Sequence, residues 1–590
     1  MDTSTRVRAP ELAGAGGWVN TPYPLSLEAL RGRIVLLDFW TFCCANCLHV
    51  LDELRELEHR YADVLVVVGV HSPKFAHEAE HEAVVAAVER YDVRHPVLDD
   101  PELTTWRQYA VRAWPTLVVV DPEGYVVAQA SGEGHAAGLA EVVERLVAEH
   151  EAKGTLRRGE QPLAIPEPEP TALRFPAKAV VTPSGLLVSD TGHHSLALLD
   201  AEGNVTRRIG DGTRGWVDGP AERARFSEPQ GLCLLPDGRV AVADTVNHLV
   251  RAVDLATGEV TTLAGTGEQL RGAPFAGPAR EQPLSSPWDL AWFQGRLVIA
   301  MAGIHQLWAY DGATVGVVAG TAAEGLRDGA AGDAWLAQPS GLAVAGDRLW
   351  FADAETSALR WYDGTNVGTA VGTGLFDFGH VDGPAKEALL QHPLGVLARA
   401  DGTVVVCDTY NGALRSYDPA TGTVTTLATG LKEPSDAVEW NGTLHVVESA
   451  AHRVTAPAVE PATVEGEARQ TRRPATDVRP GPLALTVVFE PPAGQHLDEQ
   501  FGPSTRLSVS ASPASLLAEG AGTGTGLTRD LVLADLYAEG VLHVTAWAAT
   551  CDDEGEHPAC HLTTQDWGIP VRLVPEGQNQ LTLMLRGVSD

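Results

Sequence analysis

The segment IVLLDFWTFCCANC, residues 34–47, decides how the start of the chain is read. Ile34–Trp40 is apolar on both faces apart from Asp38, as in a strand buried between two layers. Three cysteines follow at once. Leu48, Leu51, Leu54, Leu57 and Tyr61 then recur at three- and four-residue steps, the period of an amphipathic helix. Working outward, Val64–Val70 and Leu117–Val120 are further apolar strands, and Pro96–Leu98 is extended. Val126–Ala130 pairs with Leu117–Val120 through the turn Asp121-Pro122-Glu123-Gly124, while His77–Tyr91 and Leu139–His150 read as helical. This alternation predicts an α/β domain over residues 1–150 with a mostly parallel sheet.

The chemistry lies where the strand meets the helix. Cys44-Ala45-Asn46-Cys47 places two thiols one helical turn apart at a helix N-terminus, where unpaired N–H groups favour a thiolate. Cys44 is the expected exposed nucleophile, and Cys47, one turn deeper, resolves the mixed disulfide. Asp38 lies beneath and is placed to accept the resolving thiol's proton. Zinc binding by the three cysteines with His49 fits poorly, because adjacent Cys43 and Cys44 do not suit tetrahedral spacing. Gly132, Gly134 and Gly138 depart from GxGxxG and read as a turn opening the last helix.

At these residues the chain resembles thioredoxins. The resemblance implies that Asp38 is the family's buried acid, Trp40 its aromatic before the site, and Cys44 and Cys47 its redox pair. Trp114-Pro115-Thr116 is similar to the segment where thioredoxins hold a cis-proline against the disulfide; an X–Pro bond is where cis costs least. A proline also donates no N–H, so the preceding backbone stays free for an extended substrate. Two departures stand out. The middle dipeptide is Ala-Asn rather than Gly-Pro, and Cys43 occupies an aromatic's place, to compete for Cys44 or to pack.

Residues 151–172 are rich in Pro and Glu and read as a semi-rigid spacer. A repeat follows over 173–458. VSDTGHH, VADTVNH, FADAETS and VCDTYNG end strands in Asp190, Asp244, Asp353 and Asp408, with Met301 and Glu448 at the equivalent places of two further units. Six units at a period of about 52 residues, each with short strands and glycine turns, predict a six-bladed propeller. The surplus over a usual blade lies in VDGPAERARFSEPQG, RDGAAGDAWLAQPSG and VDGPAKEALLQHPLG, loops on one face that would shape a binding surface. The repeated acid is expected to accept turn N–H groups rather than bind metal. His193, His194, His248 and His305 beside it are expected as turn residues. These units resemble NHL repeats.

A second linker, 459–480, precedes 481–590. There Leu483–Phe489, Arg506–Ser512, Leu531–Leu536, Val541–Ala549, His561–Val571 and Leu581–Leu585 predict a small β-sandwich. Cys551 and Cys560 bracket a hairpin tip. Free thiols, a reversible disulfide, or metal binding with His557 or His561 all remain open for them.

Composition bounds the function. The chain has 590 residues, 44% apolar and 20% charged, enough for several cores. A net charge of −34 disfavours nucleic acid and anionic membranes as partners. No apolar run suits a secretory signal or a membrane span, and seven cysteines make no disulfide scaffold, so the expected location is cytoplasmic. No motif calls for a cofactor or a metal.

The whole order is similar to the family of NHL repeat-containing protein 2; CCANC and the late Cys551–Cys560 pair match its pattern. The resemblance implies a cytosolic protein with a thiol–disulfide role. Two functions follow as expectations. In one, Cys44 and Cys47 act on a disulfide in a protein partner recruited by the propeller. In the other, the thiols are inert or sense redox state, and the propeller and β domain scaffold a complex. A propeller hydrolase would need a metal in the central channel, for which the sequence shows no ligand set.

Overall fold

A computed structural model of the chain describes residues 7–271, 276–470, 475–491, 495–497, 503–512, 514–534, 539–552 and 560–586. Contacts divide it into two compact units: Met1–Pro168 with Arg472–Asp590, and Glu169–Thr471.

The first unit begins with β1 (Val7–Arg8), β2 (Gly17–Val19), β3 (Ile34–Trp40), α1 (Ala45–Arg60), β4 (Leu65–His71) and α2 (His81–Arg90). It continues with β5 (Val97–Asp99), α3 (Thr104–Gln108), β6 (Thr116–Val120), β7 (Tyr125–Ser131) and α4 (Ala136–Lys153). The sheet order is β1-β7-β6-β3-β4-β5-β2. Only β3, β4 and β5 run parallel; β6 is antiparallel to β3, and β7, β1 and β2 are antiparallel to their neighbours. The sheet is therefore mixed, not mostly parallel. An apolar run carries no strand direction, and the β6–β7 hairpin turns that half of the sheet round.

Alternate residues of β3 feed two cores. Ile34 and Leu36 pack with Val50, Leu54 and Leu57 of α1 and with Leu139 and Val143 of α4. Val35, Leu37 and Phe39 pack on the other face with Trp106 and Tyr109. Asp38 is in phase with Leu36 and so lies on the α1 side. The segment expected as a spacer begins inside α4 and then lies along the domain. The N–H groups of Arg157, Gly159 and Ala164 donate to the carbonyls of Gly32, Asp63 and Asn20.

Residues 481–586 form two sheets. One contains Thr505–Ser512, Glu539–Asp552 and Cys560–Leu573; the other contains Gly481–Glu490, Thr528–Leu533 and Gln580–Arg586. Leu483, Leu485, Leu507, Val544 and Leu583 fill the space between them, which makes the expected sandwich.

Among the described residues, the second unit is a propeller of six blade sheets with one additional two-stranded sheet. The 459–480 linker is partly absorbed into it, since Glu465–Gln470 pairs with Asp377–Val381. The strand-end acids are buried structural clamps. Asp244 accepts from Ser227 N (2.7 Å), Asn247 Nδ2 (2.8 Å) and Arg251 Nη1 (2.7 Å), and Asp408 repeats the pattern with Gln391, Asn411 and Arg415.

Each buried arginine holds a second acid from the insertion. Arg251 reaches Asp218, Arg360 reaches Asp328 and Arg415 reaches Asp382, at 2.6, 3.0 and 2.5 Å. These loops are thus pinned inward by their Asp-Gly. In the third blade the register puts Ala276, Met301, Trp308 and Val317 where the fifth blade has Asp382, Asp408, Arg415 and Thr426. The whole ionic cluster is exchanged for apolar side chains, a swap of the kind that costs little when complete.

The histidines latch neighbouring blades. Nδ1 of His194, His248 and His305, each on left-handed backbone, accepts the N–H of Glu228, Ser286 and Gln338 in the next blade. His193 stays within its own turn, on Asp190. His452 accepts from Phe175 N at 3.0 Å, and Ala179 N donates to Asp436 Oδ2 at 2.9 Å, so the last blade closes on the first.

Candidate functional site

Cys44 is the N-cap of α1. Its backbone is extended (φ −91°, ψ 109°), and its Sγ accepts the N–H of Cys47 at 3.3 Å. A helix N-terminus offers that sulfur unpaired donors and the positive end of the dipole. Cys44 is partly exposed, whereas Cys43 and Cys47 are buried; none of the three is in a disulfide. Burial pushes the Cys47 thiol well up, and its contact with Cys44 pushes the same way. The partly exposed Cys44 with the buried Cys47 behind it has the relative exposure that the spacing predicts.

Asp38 is completely buried, and neither carboxylate oxygen has a hydrogen-bond partner in the protein. Desolvation raises its pKa to about 7; His95 opposes this and Glu58 adds to it. Its charge also acts on Cys47. Trp40 is fully buried, with Nε1 unpartnered and its ring edge-on to His71 at 5.3 Å. Burial lowers the His71 pKa to about 3, so this imidazole is neutral.

The Trp114–Pro115 peptide is cis, as the resemblance implies. Trp114 Nε1 donates to Ser72 O (2.8 Å), and its ring lies 4.3 Å from that of Trp106. Ala113, just before it, belongs to the core of the C-terminal sandwich, and Arg112 Nη1 reaches Thr582 O at 3.4 Å. The sandwich therefore supports the proline loop.

One residue that sequence reading did not single out holds the cysteine loop. Glu78 is fully buried; Oε1 accepts from Thr41 Oγ1 (2.6 Å) and Cys43 N (2.9 Å), and Oε2 from Lys74 N and Phe75 N, both 2.9 Å. A lone acid in a helical segment gives no local signal of this. His49 Nδ1 sits 2.5 Å from Glu133 Oε2 rather than on a sulfur. The Gly132–Gly138 turn opens α4, and Gly134 N donates to the Glu53 carboxylate at 2.9 Å.

The other cysteines belong to the propeller and the C-terminal sandwich. Burial raises the Cys233 thiol to about 12 and the Cys407 thiol in the same direction. Cys551 is disulfide-bonded, and Cys560 stands directly opposite it in the antiparallel register. The reading of Cys551 as a free thiol is therefore set aside: two directly opposed strand positions lie within bridging reach. His557 and the side chain of His561 lie outside the described residues. In the propeller, Asp289 and Asp436 on innermost strands share Lys178, whose Nζ lies 3.6 Å from Asp289.

A thioredoxin-like family model matches residues 32–126, and an NHL-repeat model matches residues 226–252. The chloroplastic protein SUPPRESSOR OF QUENCHING 1 of Arabidopsis thaliana is 38% identical over 489 residues, covering 75% of this chain and 46% of that protein. NHL repeat-containing protein 2 of Gallus gallus is 38% identical over 483 residues, covering 74% of this chain and 66% of its own. The chain thus spans about half and about two thirds of these relatives. A solution structure of a thioredoxin-like protein in the oxidised form is 26% identical, with TM-score 0.23, over 24% of this chain and 97% of that one. Among the described residues, no helix is long and apolar enough to cross a membrane. The matched spans exceed the thioredoxin-like domain or the propeller alone, and the chain belongs to the family of NHL repeat-containing protein 2.

Proposed function

We infer that the chain is a thiol–disulfide oxidoreductase acting on a disulfide in a protein partner that the propeller recruits. The observation that carries this reading is the pairing of a partly exposed N-cap Cys44 with a buried Cys47 above an unpartnered Asp38. The Cys44 thiolate attacks one sulfur of the partner disulfide, forming a mixed disulfide and releasing one partner thiolate. Cys47 gives its proton to Asp38 and attacks Cys44 Sγ. The second partner thiolate leaves and is protonated from solvent. The partner is reduced by two electrons, and the chain holds the Cys44–Cys47 disulfide. The cis-proline backbone is placed to align an extended partner segment. A cytoplasmic setting with a dithiol donor would return the pair to its reduced state.

The test is a redox titration in defined glutathione or dithiothreitol buffers, with each cysteine mapped by alkylation and mass. A reversible Cys44–Cys47 disulfide, lost in Cys44→Ser and Cys47→Ser, is the expected result. A Cys44 that stays unpaired across the range would overturn it and leave the propeller and sandwich as a scaffold.

A further inference from the structure

Asp38 is buried, so a proton it takes from Cys47 needs an exit. Asp38 on β3 and Gly69 on β4 are direct partners in the parallel register. Gly69 has no side chain, and this matters: a Cβ there would lie 2.9 Å from Trp40 Nε1 and 3.1 Å from His95 Nε2. The glycine therefore leaves room for the imidazole edge to come in over the strand beside Asp38. His95 Nε2 is buried and has no protein hydrogen-bond partner, like the Asp38 carboxylate and Trp40 Nε1. The other ring nitrogen is engaged: His95 Nδ1 lies 2.6 Å from Glu58 Oε1. Glu58 is on α1, one-fifth exposed, against 5% for the His95 side chain. The charges of His95 and Glu58 both reach Asp38. The groups facing this space are thus Asp38 from β3, His95 from the turn before β5, and Cys47 and Glu58 from α1, with neutral His71 on the same face of β4.

We propose that His95 and Glu58 form a proton relay that connects Asp38 to solvent during thiol exchange. It rests on the oxidoreductase reading and adds the path of the proton. As Cys47 attacks Cys44, its proton passes to Asp38 and then, through one bridging water, to His95 Nε2, since the two groups make no direct hydrogen bond. His95 Nδ1 releases its own proton to Glu58, which returns it to bulk water. The imidazole is left as the other tautomer. When a dithiol donor reduces the Cys44–Cys47 disulfide, a proton runs inward from Glu58 through His95 and Asp38 to the Cys47 thiolate, which resets the tautomer. Oxidation and reduction thus use the wire in opposite directions, and no net proton is stored.

The test uses the full chain and the aromatic disulfide 5,5′-dithiobis(2-nitrobenzoate). Release of the first nitrothiolate reports Cys44 attack, and release of the second reports resolution by Cys47. His95→Gln and Glu58→Gln are expected to slow the second release by about tenfold or more, the low end for a lost proton-transfer group, with the first unchanged. The solvent deuterium effect on the second release should shrink in both variants. Glu58→Gln alters a partly exposed side chain, so it reports even where His95→Gln does not fold. Resolution at the normal rate with an unchanged pH profile in Glu58→Gln would overturn the relay, as would equal slowing of both releases. If the unmodified chain gives no second release while Cys47→Ser gives the same first, the oxidoreductase reading itself falls.

Discussion

Asp408 in the propeller and Asp38 in the thioredoxin-like domain are both fully buried acids on strands, and burial raises the pKa of both. Their surroundings differ completely. Asp408 accepts from a backbone N–H, an asparagine amide and an arginine, so its negative charge is matched on every side. Asp38 has no hydrogen bond from the protein at all. The first arrangement fixes one charge state and one geometry. The second leaves the carboxyl between states near neutral pH, where a group that accepts and passes on a proton is useful. Burial alone does not separate these two acids; the tally of partners does.

The contrast can be broken most sharply at Arg415. Arg415→Met strands Asp408 and Asp382, both buried, and should destabilise the propeller by about 3–5 kcal/mol in urea melts. Replacing Asp382, Asp408, Arg415 and Thr426 together by Ala, Met, Trp and Val copies the third blade and should recover most of that loss. Failure to recover would show that the third blade relies on its own surroundings.

Asp38→Asn should act in the opposite direction. The Asp38 carboxyl titrates at about 7 when folded, against an ordinary value of 3.8 once unfolding returns it to water. Between those values the folded chain holds a proton that the unfolded chain lacks. Stability therefore falls as pH rises through that window and stays low above it. The variant should lose that slope and exceed the parent above pH 7 by up to about 4 kcal/mol, while resolution by Cys47 slows. A flat pH–stability curve in the parent would sink this account.

Glu78 sharpens the comparison, being an acid of the propeller kind inside the thioredoxin-like domain. Glu78→Gln should cost about 2 kcal/mol, because an amide nitrogen then faces backbone N–H donors; thermal melts would read this. The smallest effect is expected at the latch. His452→Asn suits left-handed backbone but falls short of Phe175 N, and should cost about 1 kcal/mol, read by the same melts.

Much of this was legible before the structure. IVLLDFW followed by CCANC marks a strand, a turn and a helix within one span, because apolar run, thiol spacing and helical period change in order. The propeller was legible for the same reason, as turn and acid recur together. The direction of β6 was not, since an antiparallel partner and a parallel one have the same composition. The clamps were half legible: the acid is plain, but its arginine emerges only once strands are paired. Glu78, His95 and Glu58 were invisible, because each belongs to a cluster assembled from segments that give no sign of meeting.

The latch between Phe175 and His452 joins residues 277 apart in the chain. At roughly 5–20 residues per second, a ribosome needs on the order of tens of seconds to make the intervening chain. Throughout that interval the opening blade has no neighbour on one side. It must wait without joining the wrong strand, which makes the order of synthesis part of how the ring is assembled.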